Sequence, residues 1–271
     1  MPKILDKKQI LFFKEKGYLF PIKIMTKEKA LSYRLDLEKY ENAKGSTISG
    51  NERHKSHLLF SWVNEIVNNN KILDSVEDIL GPNILCWSSN FFIKEANKNS
   101  FVSWHQDSGY WGLEPDDVIT AWVALSDATI KTGPMEVIPK SHKWKNLEHK
   151  ETFNEKNLLT RGQELNIKTS EYNTIPMPLK PGEISLHHVK LAHSSRINKT
   201  NDRRIGIAIR YTTPQVKQTK ADKEKDTALL VRGKDQFMNF NHEIVPNFNI
   251  NKETILNHKI TSANHHKILM K

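Results

Sequence analysis

The chain has 271 residues, of which 37% are hydrophobic and 27% charged, enough for a single β-barrel or sandwich domain with helical additions and a sizeable core. No apolar run approaches the ~18 residues that span a bilayer, and a lone cysteine, Cys86, excludes an intramolecular disulfide framework and a Cys-based zinc site, so any metal falls to His, Asp or Glu. The net charge of +10 is spread rather than striped, with lysine beside glutamate in Lys14-Glu15-Lys16 and Lys27-Glu28-Lys29, and no nucleic-acid motif accompanies it; neither nucleic acid nor a membrane is an expected partner.

The opening Met1-Pro2-Lys3-Ile4-Leu5 has neither the apolar core nor the cleavage site of a secretory signal, so a cytoplasmic location is expected. Residues 7–16 read as a short helix carrying Ile10, Phe12 and Phe13, with Gly17 to stop it. Thr26 can cap a second helix, in which Leu31, Leu35 and the row Tyr33, Leu37, Tyr40 make the apolar side ahead of Gly45. Two more helices are expected at 57–68 and 70–80, the latter ending before Gly81-Pro82. From residue 83 the pattern changes to short β runs, Ile84 to Ile93, Phe101 to Asp107, Val118 to Ser126, Met135 to Ile138, Ile184 to Val189 and Ile205 to Thr212, with Gly and Pro at the joints. That pattern predicts an antiparallel double sheet at about 83–214 beneath a helical layer at about 1–82, in one domain with an extension over 215–271. Within it, 141–180 is too long and polar for a simple hairpin and reads as a lid or disordered surface.

Chemistry enters at Trp104-His105-Gln106-Asp107. In a strand over 101–107, His105 and Asp107 share one face because side chains alternate with period two. Two imidazoles and one carboxylate on one side of an ion, with the other positions open, suit an oxygen-activating non-heme Fe(II) site. Alone, His-X-Asp is weak in a chain with twelve histidines. The surrounding order is what carries weight. Ser108-Gly109-Tyr110-Trp111-Gly112-Leu113 follows directly, then Thr120-Ala121-Trp122, Gly133-Pro134-Met135-Glu136, Pro181-Gly182-Glu183, His193-Ser194-Ser195 and Arg203-Arg204-Ile205-Gly206. In order and spacing this resembles the phytanoyl-CoA dioxygenase-like family of Fe(II)- and 2-oxoglutarate-dependent oxygenases, over nearly the whole chain.

The resemblance implies a mainly β fold with α additions, a jelly-roll (double-stranded β-helix, cupin-like) core, iron held by His105, Asp107 and His193, and 2-oxoglutarate and O2 as co-substrates. It also implies that Arg204, eleven positions after His193, binds the far carboxylate of 2-oxoglutarate, with Ser195 a hydroxyl donor and Trp122 and Lys94 lining that pocket. Strand parity independently favours Arg204 over Arg203, since Arg204 shares its face with Gly206 and Ala208 whereas Arg203 shares its face with Ile205, Ile207 and Ile209. Lys94 also reads as an ordinary solvated strand lysine. His187 is either a pocket residue near substrate or a core histidine; Tyr110 and Trp111 either close over substrate or pack in the core; Arg161 is either an anion clamp or exposed. Because halogenating members carry a small residue in place of the carboxylate ligand, Asp107 makes hydroxylation the first reading, with desaturation or ring closure open on the same iron; the resemblance to the family's bacterial small-molecule hydroxylases implies a small polar metabolite of amino-acid, quaternary-amine or aminophosphonate type, and a monomer or homodimer is expected. The rival readings are a cupin-like metalloenzyme without 2-oxoglutarate and a non-catalytic binding protein.

Overall fold

The computed structural model describes residues 2–222, 224–245 and 250–271. In chain order it comprises α1 (Lys7–Lys16), β1 (Tyr18–Lys23), α2 (Lys27–Lys44), α3 (Ser61–Val67), α4 (Asn70–Leu80), β2 (Ile84–Lys94), β3 (Val102–His105), a single turn α5 (Ser108–Trp111), β4 (Leu113–Glu114), β5 (Val118–Ala124) and β6 (Met135–Val137). There follow β7 (His149–Lys150), β8 (Glu164–Leu165), β9 (Ile175–Met177), β10 (Glu183–His188), β11 (His193–Ser195), β12 (Arg204–Thr212), β13 (Lys217–Gln218), β14 (Thr227–Arg232), β15 (Asn241–His242) and α6 (Lys252–Leu269).

Helix ends sit where the local chemistry puts them. The Asp6 side chain accepts from the Gln9 amide, the reciprocal half of a capping box, and Gly17 closes α1 in the left-handed region at φ +85°. Thr26 accepts from the Lys29 amide and starts α2, which Gly45 ends. On α2 the row Tyr33, Leu37 faces the core, but Leu35 is 54% exposed. Two residues along a helix turn a side chain through about 200°, so Leu35 cannot join the Tyr33 row. The helix expected over 57–68 opens as a 3-10 turn at Ser56–Leu58 before α3.

Two differences from the sequence reading matter. β1 lies inside the stretch read as helical and pairs antiparallel with β10 at the sheet edge. Six residues with Pro21 in the middle show no clean alternation, and an edge is where a strand tolerates proline. α6 closes the tail that carries little apolar pattern; the side chains it buries include Thr254, His258, Ser262 and His265, so a polar stripe faces inward and hydrophobic periodicity is silent.

The strands form two facing antiparallel sheets of a jelly roll, one ordered β1-β10-β5-β12-β2-β14, with β15 added parallel beyond β14, and the other β3-β11-β6-β9. The helical layer packs on the outer face of the larger sheet, where Ile205, Ile207 and Ile209 of β12 meet Val63, Ile66 and Val76 in the main apolar core. The opposite face of β12 carries Arg204, Gly206, Ala208 and Arg210 toward the smaller sheet. The stretch 141–180 lies over that smaller sheet, with Leu165 buried against Ile138 and Ala192, and Asn157 bonded to Ser103. Among the described residues no helix is long and apolar enough to cross a membrane.

Candidate active site

His105 ends β3 and His193 begins β11, and the two are direct partners across the smaller sheet, their ring centres 4.0 Å apart. Each imidazole is aimed by a short-range bond. Nδ1 of His105 donates to the Ser103 carbonyl at 2.9 Å, and Nδ1 of His193 donates to the Leu191 carbonyl at 2.8 Å. A carbonyl only accepts, so Nδ1 carries the proton and Nε2 of both rings presents a lone pair.

Asp107 reaches them by a route the strand argument did not foresee. The strand stops at His105, and Asp107 has helical dihedrals, φ −60° and ψ −39°, at the start of α5. The turn is pinned by the fully buried Gln106, whose Nε2 donates to the Lys190 carbonyl and whose Oε1 accepts the Leu147 amide, while its own amide donates to Nε2 of His149. This brings Oδ1 of Asp107 to 3.4 Å from Nε2 of His105. Burial acts to raise the Asp107 carboxyl, but the neighbouring His105, His193 and Arg210 hold it well below the usual range. One ligand atom from each of His105, Asp107 and His193 lies within 4.8 Å of the others, and no other such cluster exists among the described residues. Two imidazole nitrogens, one ionised carboxylate and a dry surround fit a divalent iron with open positions.

A second feature fits an anionic co-substrate. Arg204 and Lys94 are cross-strand partners of β12 and β2, and both are buried. Both donate to the Gly133 carbonyl at 3.3 Å, and the Lys94 ammonium also bonds the Arg196 carbonyl. Among the described residues no carboxylate lies within the 4.0 Å of an ion pair to either, and Nε of Arg204 has no partner. Burial and the neighbouring Arg204 charge push the Lys94 ammonium down to about 5, and burial takes Arg204 to about 9. A buried cation without an anion is costly, and Arg204, with the Lys94 amine beside it, could receive a carboxylate. The Trp122 ring lies 5.0 Å from the Arg204 guanidinium. Gly206 makes that possible, since a Cβ there would sit 2.0 Å from the indole.

Ser195, Trp122, His187 and Arg204 line one cleft with the three iron-ligand candidates; Lys94 stands behind Arg204 rather than in the lining. Tyr110, Trp111 and Arg161 gather around a different cavity, against α6. There Arg161 is occupied by Glu151 at 2.9 Å and the Leu269 carbonyl at 3.1 Å, and Trp111 packs on Trp87. Arg203 pairs with Glu41 and Glu95 on the helical side, as parity required. Cleft residues that escaped the sequence reading are Phe92, Val102, Thr120, Met135, Ser194 and Arg210. Arg210 was within reach, because the parity that selects Arg204, Gly206 and Ala208 continues to it.

Residues 16–206 match the phytanoyl-CoA dioxygenase (PhyH) family. A probable alpha-ketoglutarate-dependent hypophosphite dioxygenase of Stutzerimonas stutzeri is 31% identical over 160 residues, 57% of this chain and 54% of that protein. An L-proline trans-4-hydroxylase of Streptomyces griseoviridis is 32% identical over 69 residues, 24% of this chain and 26% of that one. The alignments thus span about half or less of these curated relatives. A solved structure of the non-heme monooxygenase ThoJ superposes with a TM-score of 0.84 at 31% identity, covering 96% of this chain and 97% of that one.

Proposed function

Because the chain belongs to the phytanoyl-CoA dioxygenase family, and with it to the Fe(II)- and 2-oxoglutarate-dependent oxygenases, we propose that it hydroxylates a small polar metabolite. The observation that carries the reading is the pairing of a buried His105, Asp107, His193 cluster with an unpaired buried Arg204 in one cleft. His105, Asp107 and His193 would hold the iron, and Arg204 would hold the far carboxylate of 2-oxoglutarate with Ser195 and Trp122 beside it. Bound there, iron would supply the chemistry that divides one dioxygen between the two substrates, one atom entering an unactivated bond and the other the succinate formed as 2-oxoglutarate loses carbon dioxide.

The protein's own residues position and exclude. The Nδ1 bonds to Ser103 and Leu191 lock both imidazoles, and Gln106 fixes the turn that carries Asp107. A guanidinium fork matches a carboxylate better than a lysine does. Phe92, Val102 and Met135 form apolar wall in the same cleft and keep water from the reacting carbon. Hypophosphite and proline, named in the relatives' activities, are both small and polar. Asp107 stands where halogenating members carry a small residue, which favours hydroxylation. The lone buried thiol of Cys86 suits a reducing, cytoplasmic compartment, and the protein would act as a monomer or homodimer.

The test is substrate-stimulated succinate formation. The protein is loaded anaerobically with Fe(II), given 2-oxoglutarate and air, and screened against amino acids, quaternary amines, aminophosphonates and phosphorus oxyacids. Succinate rising with one compound, together with its hydroxylated product, supports the reading. Tight binding of a metal with no consumption of 2-oxoglutarate by any compound would overturn it.

A further inference from the structure

At the other end of the cleft, three polar side chains stand in register on adjacent strands of the larger sheet. His187 of β10 is opposite Thr120 of β5, and Thr120 is opposite Arg210 of β12. All three are buried, and all three line the cleft that holds the iron-ligand candidates. None is satisfied. Among the described residues, Thr120 Oγ1, both ring nitrogens of His187 and Nε of Arg210 have no hydrogen-bond partner. The one bond Arg210 makes is from Nη1 to the carbonyl of Ala208 on its own strand, at 3.3 Å. Among the described residues no carboxylate comes within 4.0 Å of its guanidinium. Its flat faces meet the Phe92 and Trp111 rings, at 5.7 and 5.0 Å, which hold the fork in place.

Buried polar groups are normally bonded, and one orphan in a native protein asks for a reason. Three in a row, one of them a cation, form a template of donors with no acceptor. The row is also next to the chemistry, with Nε2 of His187 3.9 Å from Oδ2 of Asp107. A strand irregularity sits at the same place, because the β12–β2 register skips Trp87 between the Arg210 and Tyr211 pairings. Bulges of this kind re-aim side chains near functional sites.

We propose that His187, Thr120 and Arg210 form the substrate-anchoring site and that the substrate is a compact oxyanion, a carboxylate or phosphorus oxyacid, held with its oxidisable bond toward the iron. The inference rests on the oxygenase reading and narrows it. A guanidinium, a hydroxyl and a neutral imidazole supply N–H and O–H donors to adjacent oxygens, while a quaternary ammonium group would meet an unpaired cation in a dry site. Arg204 and Arg210 are six residues apart, roughly 20 Å along an extended strand, far enough for one to take the co-substrate and the other the substrate.

The experiment is calorimetric titration of the anaerobic Fe(II) protein with 2-oxoglutarate, then with methylphosphonate, acetate or choline as probes. Wild type should bind at least one of the two anions and not choline. Arg210→Met should weaken that anion by roughly tenfold to a hundredfold, Arg210→Lys and Thr120→Val by less, and 2-oxoglutarate affinity should stay unchanged. Methylphosphonate against acetate tells a phosphorus oxyacid from a carboxylate. Without ligands, Arg210→Met should melt no lower than wild type, since an unpaired buried cation has been removed; a merely structural arginine would lower it. The proposal is overturned if neither anion binds wild type, if choline competes, or if Arg210→Met binds the probe as wild type does or loses 2-oxoglutarate instead. Failure of wild type to bind 2-oxoglutarate at all would instead sink the oxygenase reading beneath it.

Discussion

Two clusters of buried charge lie on this fold, and they are built on opposite principles. Beside α6, Lys55 is fully buried and donates to the Trp87 and Thr227 carbonyls and to Glu243, whose second oxygen meets His57 at 2.7 Å; Asp226 is likewise shared between Trp87 and His265. There each charged group is bonded, Lys55 to the Glu243 carboxylate and Asp226 to the Trp87 indole and the His265 ring. On the cleft side, Arg204 and Arg210 of β12 and Lys94 of β2 are also buried, and none has a carboxylate partner among the described residues. Burial of charge by itself is therefore a poor guide to function in this fold; the proposed ligand sites are set apart by burial without a carboxylate partner, a cost that a bound anion would offset.

The contrast is open to direct attack. Asp107→Ala should reduce iron-dependent succinate formation to background while leaving a folded protein, and retention of wild-type turnover would remove Asp107 from the site. On the paired side, Glu243→Leu leaves Lys55 buried and alone and should lower stability by about 3–5 kcal/mol in urea titrations, with no direct loss in the chemistry of the folded fraction. An unchanged denaturation midpoint would show that the Lys55 cluster is not a structural pair. On the unpaired side the signs reverse. Arg204→Met should weaken 2-oxoglutarate binding by about 1.5–3 kcal/mol, the range for hydrogen bonds to charged groups, with the melting temperature unchanged or raised. If it melts lower and still binds 2-oxoglutarate, the assignment of Arg204 fails.

The smallest effect is a pH dependence. Lys94 is held at about 5 in the ligand-free fold, by burial first and Arg204 second, against about 10.4 for an unfolded lysine. Between those values the unfolded chain binds a proton that the folded one does not. The contribution is fully present above the unfolded value and is lost as pH falls toward 5, so ligand-free stability should rise with pH across neutrality, by at most about 1.4 kcal/mol per unit. Lys94→Met should flatten the slope, and so should 2-oxoglutarate, whose carboxylate keeps the ammonium protonated. Equal slopes with and without 2-oxoglutarate would separate Lys94 from the co-substrate.

Local chemistry left clear traces in the chain. Thr26, Gly45 and Asp6 with Gln9 bound helices because capping is a matter of neighbouring residues, and β12 shows its two faces because Ile205, Ile207 and Ile209 alternate with Arg204, Gly206 and Ala208. His105, Asp107, His193 and Arg204 stood out by order and spacing. What stayed hidden had no local signature. β1 is too short and too interrupted to alternate, and α6 turns a polar stripe inward, so neither repeats a hydrophobic period.

The sequence by itself pointed to the donor set through the order and spacing of its motifs, and determined the sheet grammar and the parity that turns Arg204 away from the helices, which depend on residues close along the chain. Only the tertiary structure decided that Asp107 meets His105 through a turn pinned by Gln106, that Tyr110, Trp111 and Arg161 face a separate cavity, and that His187, Thr120 and Arg210 align across three strands. The physical reason is register. Which residues of β10, β5 and β12 stand opposite one another is set by pairing between segments far apart in sequence, and whether a buried cation has a partner is known only once every neighbour is in place.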